Sequence, residues 1–359
     1  MHKTCADEPV FIFVCLLFLC IKTSFMQFGI IGSGSWATAL AKILTDNNHT
    51  INWWIRNDAT IRHIQQRRHN PHYLHSANFN SSLLQMSSSM EFVINNSEVL
   101  VVAVPAAYIK DACSGVNKDA FANKKIISAI KGILPESNEL LNEYLERNFG
   151  VQPGNYFTVL GPCHAEEVAA EKLSYLTFSG IDETLTPAIA ACFKTDYLNT
   201  LVNYDVTGVQ YAAILKNIYA LGAGIAHGLE YGDNFLSVYI ANSANEMVRF
   251  LRKITTEKSH TTEGIHYASS VYLGDLLVTC YSLFSRNRMF GNMIGKGYSV
   301  KAAQLELNMV AEGYNASKCI HTTNNKLQVD IPIADTMYEI LWAHLPPEEG
   351  FKRIEALIV

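Results

Sequence analysis

A glycine-rich turn between an apolar segment and a helical pattern is the feature that most restricts the fold of this chain. Residues 28–31 read FGII, which is typical of a short buried strand, and residues 32–37 (GSGSWA) separate it from a segment with helical spacing. In this G-x-G-x-x-A pattern Gly32 permits a tight turn, Gly34 lets the backbone approach a pyrophosphate, and Ala37 allows close helix–strand packing. The helix would point its free N–H groups at the phosphates. Strand, turn and helix together predict a dinucleotide-binding domain, whereas the glycine pattern alone would be weak evidence.

The residues after the second predicted strand bear on which dinucleotide is bound. That strand covers 51–55 (INWWI) and is followed by Arg56, Asn57 and Asp58. Sites that prefer NAD place an acidic side chain here for the ribose 2′-hydroxyl, whereas an arginine can bind the 2′-phosphate of NADP. Arg56 therefore favours NADPH. NADH stays open as the alternative, because Arg56 could be an ordinary surface residue while Asp58 takes the acidic role.

Apolar segments that alternate with helical patterns continue as far as residue 204. Further strands are predicted at 98–104, 125–130, 156–160 and 174–178, with 201–204 as a possible edge strand. Such alternation is typical of α/β proteins with a parallel, doubly wound sheet of the Rossmann type. Ligands bind beyond the carboxyl ends of the strands in such sheets. The residues that follow predicted strand ends are therefore the first candidates for a site: Gly32, Arg56, Pro105, Lys131 and Gly161.

Lys131 and the adjacent Cys163 and His164 are the side chains near these strand ends with obvious chemistry. Lys131 is either an ordinary solvated lysine or, on the ligand edge of the sheet, an anchor for an anionic substrate or cofactor. Cys163 and His164 suggest a thiol nucleophile, but adjacent side chains diverge on most backbones and neither has an evident partner elsewhere. We therefore expect no catalytic cysteine–histidine pair.

Helical spacing dominates from Gly208 to the C-terminus, which predicts an all-α second domain. One of its helices, residues 210–221, would be wholly apolar without Lys216 and Asn217. A lysine in a buried helix is costly unless it is paired or functional, and burial lowers its pKa towards the range in which it can transfer a proton. Lys216 is therefore a candidate proton donor and acceptor. The alternative is a lysine that extends to solvent from a helix edge.

A polar stripe crosses the segment GDLLVTCYSLFSRN at residues 274–287. Spacing of i, i+4, i+7 and i+11 relates its four members, Asp275, Thr279, Ser282 and Arg286. This spacing predicts that they share one face of a single helix, and the apolar residues on its other faces indicate a buried polar cleft. There Asp275 would pair with the buried lysine, and Arg286 would bind an oxyanion in a bidentate manner. A helix that presents an ion-pair stripe to a partner is the alternative.

The start of the chain differs from the rest. Residues 10–21 (VFIFVCLLFLCI) form an apolar run that is too short to span a membrane but has the length of a secretory signal core, which is the alternative function for it. No A-x-A-like cleavage site follows, and Met26 leads directly into the first strand. We therefore expect an extraneous or upstream-start segment at 1–25, a dinucleotide-binding Rossmann domain at 26–204 and a helical substrate-binding and catalytic domain at 205–359.

Charge and cysteine content restrict the partners and the compartment. A formal net charge of −5 provides no global positive field, so a nucleic-acid partner is not expected. The eight cysteines include no C-x-x-C pair, which argues against a disulfide scaffold and a zinc site and favours a reducing compartment. We expect a cytoplasmic homodimer without a metal and without stable membrane insertion.

Four motifs, in order along the chain, give a resemblance to a known family. They are GSGSWATALA at 32–41, GPCHAEEVA at 161–169, LKNIYALGAGIAHGLEYGDN at 215–234 and GDLLVTCYSLFSRNRMFG at 274–291, with Lys131-Gly132 between the first two. From Met26 onwards the chain resembles bacterial NAD(P)-dependent glycerol-3-phosphate dehydrogenase. The resemblance implies a cytoplasmic enzyme that interconverts dihydroxyacetone phosphate and sn-glycerol 3-phosphate for glycerophospholipid synthesis.

The same resemblance implies roles for individual residues. Lys216 would be the catalytic proton acceptor. The implied cofactor contacts, added to Gly32, Gly34 and Arg56 from the Rossmann pattern, are Ser35, Trp36, Lys131, Ala165, Arg286, Val310 and Glu312. The implied substrate contacts are Lys131, Gly161, Cys163, Lys216, Asp275, Ser285, Arg286 and Asn287. Cys163 departs from the family pattern, in which serine is more common, and this change weakens a hydrogen-bond donor beside the substrate.

These roles predict a hydride-transfer mechanism with two rival interpretations. Hydride would pass from nicotinamide C4 to the substrate carbonyl carbon while Lys216 donates a proton to the developing alkoxide. One rival is another β-hydroxyacid-type dehydrogenase, which would not be expected to carry the stripe that ends in Ser-Arg-Asn. The other is a non-catalytic NAD(P)H-sensing protein, which would need no buried proton carrier.

Overall fold

A single eight-stranded sheet forms the first half of the chain in the computed structural model, which describes residues 26–258, 264–307 and 311–358. The expectations about residues 1–25 and about Val310 lie outside the described residues. The strands are β1 Phe28–Ile31, β2 Ile51–Trp54, β3 Leu84–Ser87, β4 Val99–Val102, β5 Lys125–Ser128, β6 Tyr156–Leu160, β7 Ser174–Gly180 and β8 Leu198–Asn203.

The strand order across the sheet is β3-β2-β1-β4-β5-β6-β7-β8. The six strands from β3 to β6 are parallel, in the order of two mononucleotide-binding halves that meet at β1 and β4. The predicted Rossmann-type doubly wound sheet is therefore confirmed. The expectation of a parallel sheet throughout is wrong at β7, which runs antiparallel to β6, while β8 runs parallel to β7. The connection from Leu160 to Ser174 contains one short helix, and β7 pairs with β6 from Phe157 opposite Gly180 to Leu160 opposite Thr177.

Strand β3 is the one strand that the sequence does not predict. Its four residues, LQMS, alternate between apolar and polar, and even Leu84 and Met86, which pack against an apolar cluster, are only partly buried. The strand forms because its backbone pairs with β2, from Ile51 opposite Leu84 to Trp54 opposite Ser87. Pairing with a neighbour, not local apolar character, therefore defines this edge.

Helices cover both faces of the sheet, as the alternation of patterns predicts. Along β1, Phe28 and Ile30 pack into the apolar cluster on one face, and Ile31 packs into the cluster on the other. The helices of this half are α1 Ser35–Asp46, α2 Asp58–Arg67, α3 Met90–Asn95, α4 Ile109–Cys113, α5 Leu141–Phe149, α6 Ala165–Ala169 and α7 Leu185–Ala191.

The second half is helical, which confirms the predicted all-α C-terminal domain. Its central helix is buried from Gly208 to Ala226 and packs against several of the others. In chain order the helices are α8 Val206–Gly228, α9 Asp233–Lys258, α10 Asp275–Tyr281, α11 Arg286–Gly295, α12 Val300–Leu307, α13 Glu312–Leu327, α14 Pro332–Trp342 and α15 Pro347–Leu357, with a π-helical turn at Ser270–Gly274.

Helices α8 and α11 are in direct backbone contact. A Cβ on Gly291 would lie 1.9 Å from the carbonyl oxygen of Leu221, and one on Gly224 would lie 2.1 Å from the carbonyl oxygen of Arg288. Only glycine at these positions allows the two helices to approach so closely. The close approach places the first turn of α11 beside the middle of α8, where the buried lysine lies.

Three further expectations concern membranes, metals and disulfides. Within the described ranges, no helix has both the length and the apolar character that membrane crossing requires. The same ranges hold no cluster of three or more His, Cys, Asp or Glu side chains suited to a metal ion. Among the cysteines of these ranges, Cys113, Cys163, Cys280 and Cys319 are free.

Candidate active site

The turn between β1 and α1 has the geometry that its glycine pattern predicts. Gly32 adopts a φ of +123°, and a Cβ there would lie 2.7 Å from the carbonyl oxygen of Ala103, so the position requires glycine. A Cβ on Gly34, the N-cap of α1, would meet no described atom within 4 Å. No side chain caps this helix, so its first N–H groups face an open space that fits a pyrophosphate. Ala37 is fully buried, which allows the predicted close packing.

Trp36 and Lys131 face each other at this edge of the sheet. Trp36 lies in the first turn of α1 after Ser35, whereas Lys131 follows β5. The Lys131 ammonium nitrogen lies 4.9 Å from the centroid of the Trp36 ring, within the range of a cation–π interaction. The indole Nε1 is buried and has no hydrogen-bond partner among the described residues. Lys131 is therefore part of the wall of the cleft and not a freely solvated side chain.

A buried ion pair joins α8 to α10. Lys216 Nζ donates to Asp275 Oδ1, and the two side chains are 3% and 1% exposed. Burial lowers the pKa of Lys216 to about 8, against the attraction of Asp275 and with a contribution from the positive charge of Lys131. Asp275 Oδ2 is also buried, without a hydrogen-bond partner in the described part of the chain. Lys216 therefore does not extend to solvent, and its amine is suited to exchange a proton near neutral pH.

Three hydrogen bonds of 2.9 Å connect the surroundings of this ion pair. Asn217 Nδ2 donates to the backbone oxygen of Lys131, and Asn287 Nδ2 donates to Asn217 Oδ1. The Gly313 N–H donates to Asn287 Oδ1. The end of β5, the middle of α8 and the starts of α11 and α13 are thereby held together. Asn287 therefore lies close to the ion pair, because its partner Asn217 directly follows Lys216 along α8.

The single helix predicted over residues 274–287 is wrong. Helix α10 ends before Ser282, whose backbone is extended, and α11 begins only at Arg286. The hydroxyls of Ser282 and Ser285 accept from backbone N–H groups two and three residues further on, at 3.1 Å and 3.3 Å. Such local bonds compete with a continuous helix and cap the next one. The stripe is therefore divided, with Asp275 and Thr279 on α10 and Arg286 at the start of α11.

Arg286 nevertheless acts on the same cleft. Glu312, the first residue of α13, shows this: burial raises the pKa of its carboxyl group, while the positive charges of Arg286, Lys131 and Lys216 oppose the shift. The Arg286 side chain is exposed, and the neighbouring Ser285 is buried. The cleft therefore holds three cationic side chains, Arg286, Lys131 and Lys216, and two carboxylates, Glu312 and Asp275, and this excess of positive charge suits an anionic ligand.

The loop after β6 forms another part of the wall. Gly161 adopts a φ of +131°, and a Cβ on it would lie 3.1 Å from the carbonyl oxygen of Tyr175. Burial raises the pKa of Cys163 to about 12 and lowers the pKa of His164 to about 4. Both side chains are therefore neutral at neutral pH, which argues against a thiolate–imidazolium pair. Ala165, buried, begins α6.

Comparisons with known proteins agree with this geometry. The family model for the NAD-dependent glycerol-3-phosphate dehydrogenase N-terminus matches residues 27–186, and the model for the C-terminus of the same family matches 205–352. A glycerol-3-phosphate dehydrogenase of the NAD(P)+ type from Chlorobium luteolum is 33% identical over 326 residues, which cover 90% of this chain and 96% of the relative. The chain belongs to the NAD-dependent glycerol-3-phosphate dehydrogenase family.

Further relatives of this glycerol-3-phosphate dehydrogenase family are similar over nearly their whole length. A glycerol-3-phosphate dehydrogenase of the NAD(P)+ type from Listeria monocytogenes is 34% identical over 322 residues, covering 89% of this chain and 93% of the relative. The solved structure of a glycerol-3-phosphate dehydrogenase from Coxiella burnetii has a TM-score of 0.82 at 24% identity and covers 92% of this chain and 98% of that one. That structure supports the fold.

The structure of this family member brings most of the predicted site residues to one cleft. Contacts or charge interactions connect the following predicted residues: Trp36, Lys131, Cys163, Lys216, Asp275, Arg286, Asn287 and Glu312. The others lie on the turn between β1 and α1 (Gly32, Gly34, Ser35), on the loop after β6 (Gly161, Ala165) and directly before α11 (Ser285). Arg56 and Asp58 are both exposed after β2, so the structure does not choose between them and the coenzyme preference stays a prediction.

Two residues of the cleft were missed as site residues by the sequence analysis. Asn217 was noted only as a polar interruption of an apolar helix, although its position directly after Lys216 was a signal that it faces the same region. His164 was considered only as half of a thiol pair. No pattern in the sequence shows that its half-buried ring lies near Lys131 and Lys216, since those residues are distant along the chain.

Proposed function

We propose that this chain reduces dihydroxyacetone phosphate to sn-glycerol 3-phosphate, reversibly, with NADPH or NADH, and so feeds glycerophospholipid synthesis. The observation that carries the proposal is the Lys216–Asp275 pair, buried at the ligand edge of a dinucleotide-binding sheet. A buried lysine with a lowered pKa suits proton transfer to a carbonyl oxygen, and the nearby charges of Lys131 and Arg286 suit a substrate that carries phosphate. Membership of the family supports the same conclusion.

The cofactor would lie across the turn between β1 and α1. The open space at Gly34 and the free N–H groups of α1 suit the pyrophosphate. Arg56, exposed after β2, would bind a 2′-phosphate. When bound, the nicotinamide supplies the hydride for the carbonyl carbon. The proposed contacts are Gly32, Gly34, Ser35, Trp36, Arg56, Lys131, Ala165, Arg286, Val310 and Glu312.

The substrate would lie between the sheet edge and the helical half. Arg286 has an exposed guanidinium that can bind a phosphate in a bidentate manner, and Asn287 keeps one amide hydrogen beyond its bond to Asn217. Ser285 directly precedes Arg286, at the end of the turn between α10 and α11. The remaining proposed contacts are Lys131, Gly161, Cys163, Lys216 and Asp275.

Lys216 would carry the proton. In the reduction its ammonium group donates to the developing alkoxide, and in the oxidation the neutral amine accepts the proton from the hydroxyl. Asp275 orients the amine through Oδ1 and stabilises its charged form. Its second oxygen has no partner among the described residues, so it can receive the amine in a shifted position during proton transfer.

We also propose a domain boundary, a cellular location and an oligomeric state for this protein. We divide the chain between residues 204 and 205, because β8 ends at Asn203 and α8 begins at Val206. The free cysteines of the described ranges support a reducing compartment such as the cytoplasm. Exposed apolar side chains on β8, Leu201 and Val202, support a homodimer, which light scattering of the purified protein would detect.

The pH dependence should have opposite signs in the two directions. Because reduction needs the ammonium form of Lys216, kcat/KM for dihydroxyacetone phosphate is expected to fall as pH rises above about 8, where the buried amine loses its proton. Oxidation of glycerol 3-phosphate needs the neutral amine, so its rate is expected to rise over the same range. Initial rates of reduction and of oxidation, measured across this pH range, test whether the two pH dependences have opposite signs. Rates that rise or fall together with pH would contradict this prediction.

Arg56 is expected to set the coenzyme preference. Its replacement by alanine should raise KM for NADPH by about 10-fold or more and leave KM for NADH nearly unchanged, because a charge-assisted bond to the 2′-phosphate is lost. Arg62→Ala, which removes an exposed arginine further along α2, is the matched control. Equal changes for the two coenzymes would contradict this assignment.

The direct test of the proposed function is an assay of the purified full chain. Oxidation of NADPH and of NADH is followed with dihydroxyacetone phosphate and, as a control for the phosphate, with dihydroxyacetone. We expect the turnover of dihydroxyacetone phosphate to exceed the turnover of dihydroxyacetone greatly. Complete inactivity with both coenzymes would overturn the proposal and favour a sensing role.

A further inference from the structure

His164 connects two walls of the cleft. It lies in the loop between β6 and α6, between the buried Cys163 and Ala165. Its imidazole packs against the ring of Phe284, from the turn between α10 and α11, with the ring centroids 6.2 Å apart. This turn directly precedes Ser285 and Arg286. The histidine therefore lies where the loop after β6 meets the turn between α10 and α11.

One nitrogen of His164 is left without a partner. Nε2 is buried, and no described residue forms a hydrogen bond with it. Most buried polar atoms in proteins have a partner, so an exception at the wall of a cleft indicates a group that a ligand satisfies. The charges of Lys131, Lys216 and Asp275 all act on the ring, which shows that it is close to the groups proposed to handle the substrate.

The imidazole is neutral at neutral pH. Burial lowers its pKa to about 4, helped by the positive charges of Lys131 and Lys216, while Asp275 and a backbone hydrogen bond to Val278 oppose the shift. A neutral ring is a poor ligand for phosphate compared with the nearby arginine and lysines. It is also a poor proton donor beside the Lys216 ammonium. A hydrogen bond to an uncharged polar group is the role that remains.

We infer that His164 Nε2 binds the terminal hydroxyl of the three-carbon substrate, at the end opposite the phosphate. This inference rests on the proposed function. The phosphate is assigned to Arg286 and the carbonyl oxygen to Lys216, so the terminal hydroxyl is the substrate's one polar group without a proposed partner. A hydroxyl both donates and accepts, and it therefore pairs with Nε2 in either tautomer of the ring. His164 would make the site selective for substrates that carry this hydroxyl.

The test compares two substrates that differ only in this hydroxyl. They are dihydroxyacetone phosphate and hydroxyacetone phosphate, which has a methyl group in place of the terminal hydroxymethyl. His164→Phe keeps a ring against Phe284 but removes both nitrogens. We expect it to lower kcat/KM for dihydroxyacetone phosphate by about 10–100-fold while changing kcat/KM for hydroxyacetone phosphate by less than about 3-fold. His164→Gln, which keeps a hydrogen-bonding group, should restore part of the preference for dihydroxyacetone phosphate over hydroxyacetone phosphate.

The outcomes separate this inference from its alternatives. Equal losses for both substrates would mean that His164 only supports the loop, and unchanged rates for both would mean that it does not touch the substrate; either result overturns the inference. If the wild-type protein reduced neither substrate, the proposed function itself would fail. His227→Phe, exposed at the far end of α8, is the control and should leave the ratio of the two kcat/KM values unchanged.

Discussion

Replacement of Lys216 by alanine is expected to lower kcat for dihydroxyacetone phosphate reduction by about 10²–10⁴-fold, the range typical of a lost general acid. The reason is that the developing alkoxide would lose the buried ammonium group proposed to protonate it, and His164, which is neutral, would not replace it. Coenzyme affinity should change little, because the dinucleotide is bound mainly by the turn between β1 and α1. Initial rates and a coenzyme titration by fluorescence measure the two effects separately.

A second variant distinguishes loss of the proton donor from loss of folding. Lys216→Ala leaves Asp275 buried without its partner, which can cost about 3–5 kcal/mol of stability. Replacing both residues, as in K216M with D275L, removes the two charges together and is often neutral for stability. Lys42→Ala is the matched control, since Lys42 is also a buried lysine in ion pairs, with Asp46 and Glu171, but lies on α1. Near-normal turnover in either Lys216 variant would contradict the assignment.

Replacement of Arg286 by alanine is expected to raise KM for dihydroxyacetone phosphate by about 10–100-fold with a smaller effect on kcat. The cause is the loss of a charge-assisted, bidentate contact with the phosphate. The reacting carbonyl would still meet Lys216. In the variant, kcat/KM for dihydroxyacetone phosphate should therefore approach kcat/KM for dihydroxyacetone, whose weak reduction does not involve the phosphate contact. Saturation curves for both substrates measure this difference.

The control for Arg286 is another exposed arginine with ion-pair contacts. Arg353 pairs with Glu339 and Glu349 on the last two helices, and its replacement by alanine should leave both saturation curves unchanged. An unchanged KM and kcat in Arg286→Ala would refute the phosphate contact. Equal losses with the phosphorylated and the unphosphorylated substrate would also refute it, because they would indicate general damage to the cleft.

The parts of the fold and site that the sequence predicts correctly have local causes. The turn at Gly32 is readable because a positive φ and a close backbone contact both require glycine. Lys216 is readable because a lysine in an apolar helix must find a charged partner, and Asp275 lies on a second helix that is apolar on its other faces. Such features depend on the residue and its neighbours along the chain.

The errors have non-local or competing causes. Strand β3 depends on pairing with β2, and the direction of β7 depends on its pairing with β6, so neither feature follows from the local sequence alone. The break between α10 and α11 results from serine hydroxyls that bind nearby backbone groups, which helical spacing alone does not reveal. The partners of Asn217 come from β5 and α11, far away in the sequence.

The central claim is that the buried pair at Lys216 and Asp275 transfers the proton that accompanies hydride transfer. A single-turnover experiment tests it most directly: protein loaded with reduced coenzyme is mixed with dihydroxyacetone phosphate, and coenzyme absorbance is followed. We expect the K216M/D275L variant to bind coenzyme like the wild type but to transfer hydride at least about 10²-fold more slowly. Equal single-turnover rates in the two proteins would contradict it.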